Sequence, residues 1–409
     1  MMDALPARTV TAPPAAPGGG VETWFALPLR LAWRQLRFEK ARLLSAIAGV
    51  LFACVLVFMQ LGFRSALFDS ATALLSAMRA ELFLMNPLTT ASFRPEPIPR
   101  ARAHQALALP EVMQSVPVYM AQASWRNPVD GSRRAIQLIG FDVEARAMEF
   151  SGLDALTDAL KRVDAVAFDQ RSRPEFGPMG DLLRENGGSL RVQVANRLVD
   201  VIGLVDIGPS FGADGNLVVN ETNFRRLLPE RLPSNTDLVA IRLAPGADVA
   251  AAQARLREIL PPDVVVLTQA ELVAWERRYW EEATPIGFIF GFGSVMGLIV
   301  GMVIVYQILF SDIANHLREY ATLKAIGYSN WHLSRVVLGA ALLLAVLGFI
   351  PGALLSAYLY TVIGEATFLP LAMDLDRLLG VFGMIFAMCA VAGLLAMRKL
   401  RDADPADMF

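Results

Sequence analysis

The residues able to do covalent or metal chemistry are few and scattered. Three histidines (His104, His316, His332) and two cysteines (Cys54, Cys389) occur in 409 residues, and they share no metal-ligand spacing. No G-x-x-x-x-G-K-[ST], G-x-S-x-G, H-E-x-x-H or C-x-x-C occurs. The chain therefore has no phosphate-binding loop of that type and none of the common nucleophile or zinc motifs. Two turn-rich loops, Arg173–Gly177 and Phe211–Asn216, hold or adjoin Asp206 and Asp214. Their spacing does not fit a calcium loop, and turn chemistry accounts for them. What invites a mechanism is of another kind. The segment Arg318-Glu319-Tyr320-Ala321-Thr322-Leu323-Lys324-Ala325-Ile326-Gly327-Tyr328 continues an apolar stripe of Ile313, Leu317, Tyr320 and Leu323. Such a stripe needs a surface to cover it. Gly327 suits a helix end, with Lys324 placed well against the helix dipole. Gly293, Gly297 and Gly301 form two small-xxx-small steps, which let helices approach closely, either at a dimer interface or within one chain.

These residues must be positioned by membrane elements. The chain is 55% hydrophobic and 19% charged, with a mean hydropathy of +0.44, and a soluble domain carries about a quarter charged residues. The deficit is concentrated in uncharged runs at Leu43–Phe63, Thr284–Phe310, Val336–Gly364 (interrupted by Pro351) and Leu378–Met397. A span needs about 20 apolar residues. Arg30, Arg34, Arg37, Lys40 and Arg42 precede the first run; Arg318, Lys324 and Arg335 lie between the second and third; Arg398, Lys399 and Arg401 follow the fourth. Placing all three groups inside puts both termini in the cytoplasm. The spans contain no Asp, Glu, Lys or Arg, which argues against an ion-coupled transporter. A net charge of −2 without a basic cluster argues against a nucleic-acid partner.

The expected fold is an α-helical membrane protein with four transmembrane helices (1 + 3) and a large α/β extracytoplasmic domain between helices 1 and 2. In order, the expected parts are a disordered tail (1–20) with no secretory signal, a cytoplasmic interfacial amphipathic helix (21–42), helix 1 (43–63) and the outer α/β domain with helical stalks (64–283). Helix 2 (284–310), a cytoplasmic coupling segment (311–332), helix 3 (333–364), a short outer loop (365–377), helix 4 (378–397) and a cytoplasmic tail (398–409) follow. Within the outer domain, helix is expected over Arg64–Arg79. Strands are expected at Glu81–Met85, Val116–Trp125, Arg134–Phe141, Leu190–Val194, Leu198–Ile207, Asp237–Leu243 and Val264–Leu267. Asp248 is expected to cap a helix ending at Ile259, and Thr268 with Glu271 to form a capping box leading into a stalk with Trp275, Arg278, Tyr279 and Glu282.

The Arg318–Tyr328 segment resembles the R-E-x-A-x-L-K-A-I-G signature of MacB/FtsX-type ABC permeases. Leu31–Leu36, Phe58–Phe63, Ser172–Gly177, Ser210–Asn216, Thr284–Phe290 and Met397–Phe409 resemble the DevC group, named for heterocyst glycolipid exporters. The resemblance implies a non-catalytic permease subunit in a bacterial inner membrane, paired with a second copy of itself. ATP and Mg would bind a separate dimeric ABC ATPase, and this chain would bind no cofactor or metal. The resemblance assigns Arg318, Glu319, Tyr320, Leu323, Lys324, Ala325, Ile326, Gly327 and Tyr328 to ATPase coupling. It further implies mechanotransmission to the outer domain, a periplasmic adaptor, an outer-membrane TolC-like channel, membrane lipids around the spans, and a lipid or amphiphilic substrate. An FtsX-like signalling relay and a lipoprotein-release permease share this plan.

Overall fold

The computed structural model describes residues 40–316, 318, 322, 326 and 330–402. The expected tail, nearly all of the interfacial helix and residues 403–409 lie outside that set. Lys40–Arg42, expected to end the interfacial helix, instead begin α1 (Lys40–Ser76). The outer domain follows as β1 (Leu82–Met85), β2 (Ile98–Pro99), α2 (Ala101–Ala106), β3 (Val112–Arg126), β4 (Arg133–Phe141), α3 (Leu153–Leu160) and β5 (Ala165–Asp169). It continues as α4 (Met179–Glu185), β6 (Leu190–Val194), β7 (Arg197–Val205), β8 (Asn216–Asn220), α5 (Glu221–Leu227), β9 (Asn235–Thr236), β10 (Leu238–Leu243), α6 (Val249–Ile259), β11 (Val265–Thr268) and α7 (Gln269–Glu282). The last helices are α8 (Ile286–Asn315), α9 (Asn330–Thr367) and α10 (Leu375–Asp402).

Four helices among the described residues are long and apolar enough to cross a membrane: α1, α8, and the stretches Ser334–Thr367 of α9 and Leu375–Met397 of α10. Each exceeds its apolar run because the backbone ladder continues through flanking polar residues. Pro351 does not interrupt α9. The ring removes one backbone donor, but flanking Gly348 and Gly352 sit directly against Val50 and Cys54 of α1 and leave no room for a side chain.

The chain divides into a membrane unit (40–57, 296–354 and 378–402 of the described residues) and an outer unit (58–295, 355–377). The outer unit is built on one sheet of order β11-β1-β10-β3-β4-β8-β5-β7-β6, and β6 pairs again with β3. The run from β3 to β6 thus closes into a six-stranded barrel, while β11, β1 and β10 extend an open half from the other end of β3. Barrel interiors alternate with exteriors along each strand. Trp125, Ile136, Leu138, Val166, Phe168, Val192, Val194, Val199, Val201, Leu217 and Val219 obey that rule and fill the inside. The outward positions Val118, Met120, Ile139, Phe141, Ala167 and Val218 pack in a second cluster with Leu75 of α1 and Leu272 of α7. The open half buries its far face under α2 and α6 through Ala103, Ala106, Ala252 and Leu256.

Capping follows the expected chemistry. Asp248 Oδ1 accepts from the Ala250 and Ala251 N–H groups at 2.9 and 3.1 Å, and Thr268 with Glu271 makes a reciprocal capping box at the start of α7. β6 and β7 pair antiparallel across the turn at Ala195 and Asn196.

Candidate site of mechanical coupling

Coupling across a membrane protein needs rigid elements joined by specific contacts. The end of α8 is held against the start of α1. Arg42 donates to Asp312 Oδ1 at 3.4 Å and to Ser311 Oγ at 3.2 Å. His316 Nδ1 lies 3.0 Å from the Asp312 carbonyl oxygen, and Ile313 is fully buried. This joint holds the first residues of the expected coupling segment (311–332). Of its expected residues, Arg318 and Ile326 are described and both are exposed, Ile326 by 72%. Thr322 Oγ1 donates to the Arg318 carbonyl at 2.8 Å, and the Ile326 N–H donates to the Thr322 carbonyl at 3.0 Å, which is helical spacing. Glu319, Tyr320, Leu323, Lys324, Ala325, Gly327 and Tyr328 lie outside the described residues.

The glycine ladder of α8 meets α1. In the outer unit, a Cβ on Gly293 would fall 2.6 Å from the Gln60 carboxamide. In the membrane unit, one on Gly297 would fall 3.3 Å from Leu56 Cβ, and one on Gly301 2.5 Å from Ala53 Cβ and 2.7 Å from Met388 Sδ. This ladder is therefore where the first and second spans pack within one chain. Gly62 plays a like part against α9. Tyr360 fills the space its side chain would need, and its hydroxyl donates to the Phe58 carbonyl.

Within the outer unit, the upper part of α1 and α7 run antiparallel as two stalks tied at three levels. Arg64 pairs with Glu281 at 3.2 Å, Arg277 with Asp69 at 2.8 Å, and Gln269 Nε2 donates to the Ser76 and Met78 carbonyls at 3.1 and 3.0 Å. The two ion pairs are exposed and add little each. The third tie matters more, because it satisfies carbonyls left open at the end of α1. Phe68 sits between the ion pairs under the Arg64 and Arg277 guanidiniums, at 5.7 and 6.0 Å.

The buried face of α7 is Leu272, Glu276 and Trp280, one residue every turn. Glu276 is 1% exposed. Its Oε2 accepts from the Ser92 N–H and its Oε1 from the Trp280 indole, both at 2.8 Å. Burial pushes its carboxyl above the usual range, partly offset by these donors. Trp280 packs against Phe93 and Phe211, with centroids 5.7 and 5.2 Å away. The stalk residues expected from the sequence, Trp275, Arg278, Tyr279 and Glu282, lie on the same helix, but the ties fall on Gln269, Glu276, Arg277, Trp280 and Glu281. The i, i+4, i+8 spacing of Leu272, Glu276 and Trp280 was the available signal.

Phe211 belongs to a loop that the sequence left as a simple turn. Asp169, at the end of β5 and fully buried, organises it. Its carboxylate accepts from the Asn216 side chain at 2.8 Å and from the backbone N–H groups of Gly208, Ile207 and Arg171 at 2.9, 3.0 and 3.1 Å. Burial raises its carboxyl, and those donors pull it back. Arg173 pairs with Asp214 at 2.6 Å, and the Asn216 N–H donates to Ser172 Oγ at 3.3 Å. The two loops that looked independent are one cluster, joined through Phe211 to the α7 stalk. Arg171 Nη2 further donates to the carbonyl of Phe368, in the loop after α9, at 3.4 Å. Beside this cluster a cavity of about 30 Å³ touches Ser70 and Leu74 of α1, Ser92 and Gln137, and neither side-chain atom of Gln137 that can hydrogen-bond has a partner.

No group of three or more His, Cys, Asp or Glu is placed to hold a metal among the described residues.

The MacB-like periplasmic core domain matches residues 43–259, and the FtsX-like permease C-terminal domain matches residues 291–405. No curated protein gives a significant match. Among solved structures, the periplasmic region of MacB from Actinobacillus actinomycetemcomitans is 12% identical with a TM-score of 0.36, covering 51% of this chain and 96% of that one. The extracellular domain of the noncanonic ABC-type transporter YknZ from Gram-positive bacteria is 14% identical with a TM-score of 0.31, covering 46% of this chain and 98% of that one. The periplasmic-core match alone takes in more than half of the sequence, with every strand of the outer sheet but β11, and the second match takes in α9, α10 and most of α8. With four apolar helices flanking that α/β unit, the chain belongs to the MacB/FtsX family of ABC-transporter permeases.

Proposed function

We propose that this chain is the permease of a mechanotransmission exporter of DevC type, which moves a lipid or amphiphile by motion of its outer domain. Permeases of this family work with an ATPase partner. Here that partner is a separate ATPase dimer holding ATP and Mg, docked on Arg318–Tyr328 of two permease copies. Both termini lie in the cytoplasm, and the outer domain passes substrate to a periplasmic adaptor and an outer-membrane channel. The observation that carries the reading is the three-level tie between α1 and α7. α1 is one helix from Lys40 to Ser76, so a push at its inner end is delivered to the outer sheet through the Gln269 cap and the Trp280 contacts. Spans without ionisable residues leave the work to be supplied by a partner.

The test is a set of coupling variants, Glu319→Ala, Lys324→Ala and an insertion between Ile326 and Gly327, assayed with the ATPase in proteoliposomes. Export should fall at least tenfold while the outer domain keeps its unfolding transition. Unchanged export would sink the reading. Loss of activation of a periplasmic enzyme, with no substrate moved by the parent protein, would favour the relay.

A further inference from the structure

One end of the barrel gathers more positive charge than its own carboxylates balance, Asp130 of the adjoining turn being held below the usual carboxylate range by Ser132 and, to a lesser degree, by Arg134. Register places two rows of residues there. In the first, Leu198 of β7, Gln193 of β6, Arg126 of β3 and Arg133 of β4 are successive cross-strand partners. In the next, Arg197, Val194, Trp125 and Arg134 are likewise successive, with Val194 and Trp125 buried in the barrel. All four arginines are exposed, and among the described residues none makes an ion pair; Arg126 Nη1 reaches Gln193 Oε1 at 3.4 Å. Arg126 and Arg133 stand directly opposite each other, an arrangement that costs stability in a sheet. The hairpin turn beside them carries one carboxylate, Asp130, which turns inward to Ser132, accepting from its N–H and hydroxyl at 2.9 and 2.7 Å. Glu175 lies in the neighbouring turn, its carbonyl accepting from the Asn127 side chain at 3.0 Å. Two acids and four guanidiniums leave this end positive. Two exposed aliphatic side chains adjoin them, Leu198 (63% exposed) and Val129 (65%).

We propose that this end of the barrel is a docking surface for an acidic protein. Unpaired arginines around exposed aliphatic anchors are the composition of a protein interface. Their charge sets the sign of the partner and steers its approach. The like-charge pair at Arg126 and Arg133 is relieved when carboxylates come between them. This holds whether the chain exports or relays a signal.

The test places a photo-reactive amino acid at Leu198 in the full chain, in its own cells. A discrete protein adduct is expected, with contacted residues rich in Asp and Glu. It should fall at least tenfold in the Arg126→Glu/Arg133→Glu variant and return when lysines replace the partner's contacted acids. No adduct, an adduct indifferent to the arginines, or an adduct to lipid or glycan alone would overturn the proposal. Thermal unfolding of Arg133→Gln separates binding from folding. Its midpoint should equal or exceed that of the parent, and a clear fall would assign the arginines to the fold instead.

Discussion

The Gln269 side chain donates to the Ser76 carbonyl at 3.1 Å, so the first residue of α7 caps the last turn of α1. The same amide reaches Met78, the residue from which the chain turns into the sheet. A single side chain thus fixes both the end of one stalk and the start of the other. Gln269→Ala should lower stability by about 1–2 kcal/mol, the worth of two ordinary hydrogen bonds. Export should fall further than ATP hydrolysis. Denaturant unfolding of the purified chain beside a proteoliposome export assay checks both.

The Glu276 carboxyl is raised by burial. Its unfolded value is about 4.3. A raised group favours the folded state while protonated. Its contribution is therefore complete below the unfolded value and is lost as pH rises through the folded one. The stability of the parent minus that of Glu276→Gln should decline steadily as pH rises from about 4 through the mildly acidic range. Asp169 and Asp237, also raised by burial, are common to both proteins and cancel. A difference flat in pH would show that Glu276 titrates normally.

Asp237 is completely buried and held by both terminal nitrogens of Arg231, and it accepts from the Met120 N–H at 2.8 Å. Arg231→Met leaves that carboxylate without its cation. A loss of about 3–5 kcal/mol is expected, read as a lower denaturant midpoint. Arg231→Met with Asp237→Asn should recover part of it.

Gly301 and Gly291 occupy the same helix in opposite surroundings. A methyl at Gly301 meets Ala53 and Met388, whereas one at Gly291 meets nothing within 4 Å. Gly301→Ala should cost about 1–3 kcal/mol through overpacking. Gly291→Ala should be neutral or slightly stabilising. Thermal unfolding in one detergent, with both variants side by side, decides the point.

Much of the outer fold was written in local pattern. β3, β6 and β7 alternate, and the α6 and α7 starts carry side-chain caps, so the sequence located each within a few residues. β5 and β8 escaped for a physical reason. Ala165–Asp169 is buried at every position and Asn216–Asn220 at all but the last, so neither has an alternation to read. The joints were less legible still. Asp169 meets Ile207, Gly208 and Asn216 from 38 to 47 residues away, and no local rule links them. Pro351 lies inside α9, and the helix expected over 333–364 runs through it unbroken.

β3 belongs to the open half through Val112–Val118 and to the barrel through Val118–Arg126. The barrel strands β4 to β8 are inserted in the chain between β3 and β10, yet the insert cannot close without borrowing the end of its host. A chimera that trades this lobe for that of a relative must carry the Tyr119–Arg126 stave with it. A swap cut at Asn127 would leave a five-staved cask joined to a foreign sixth.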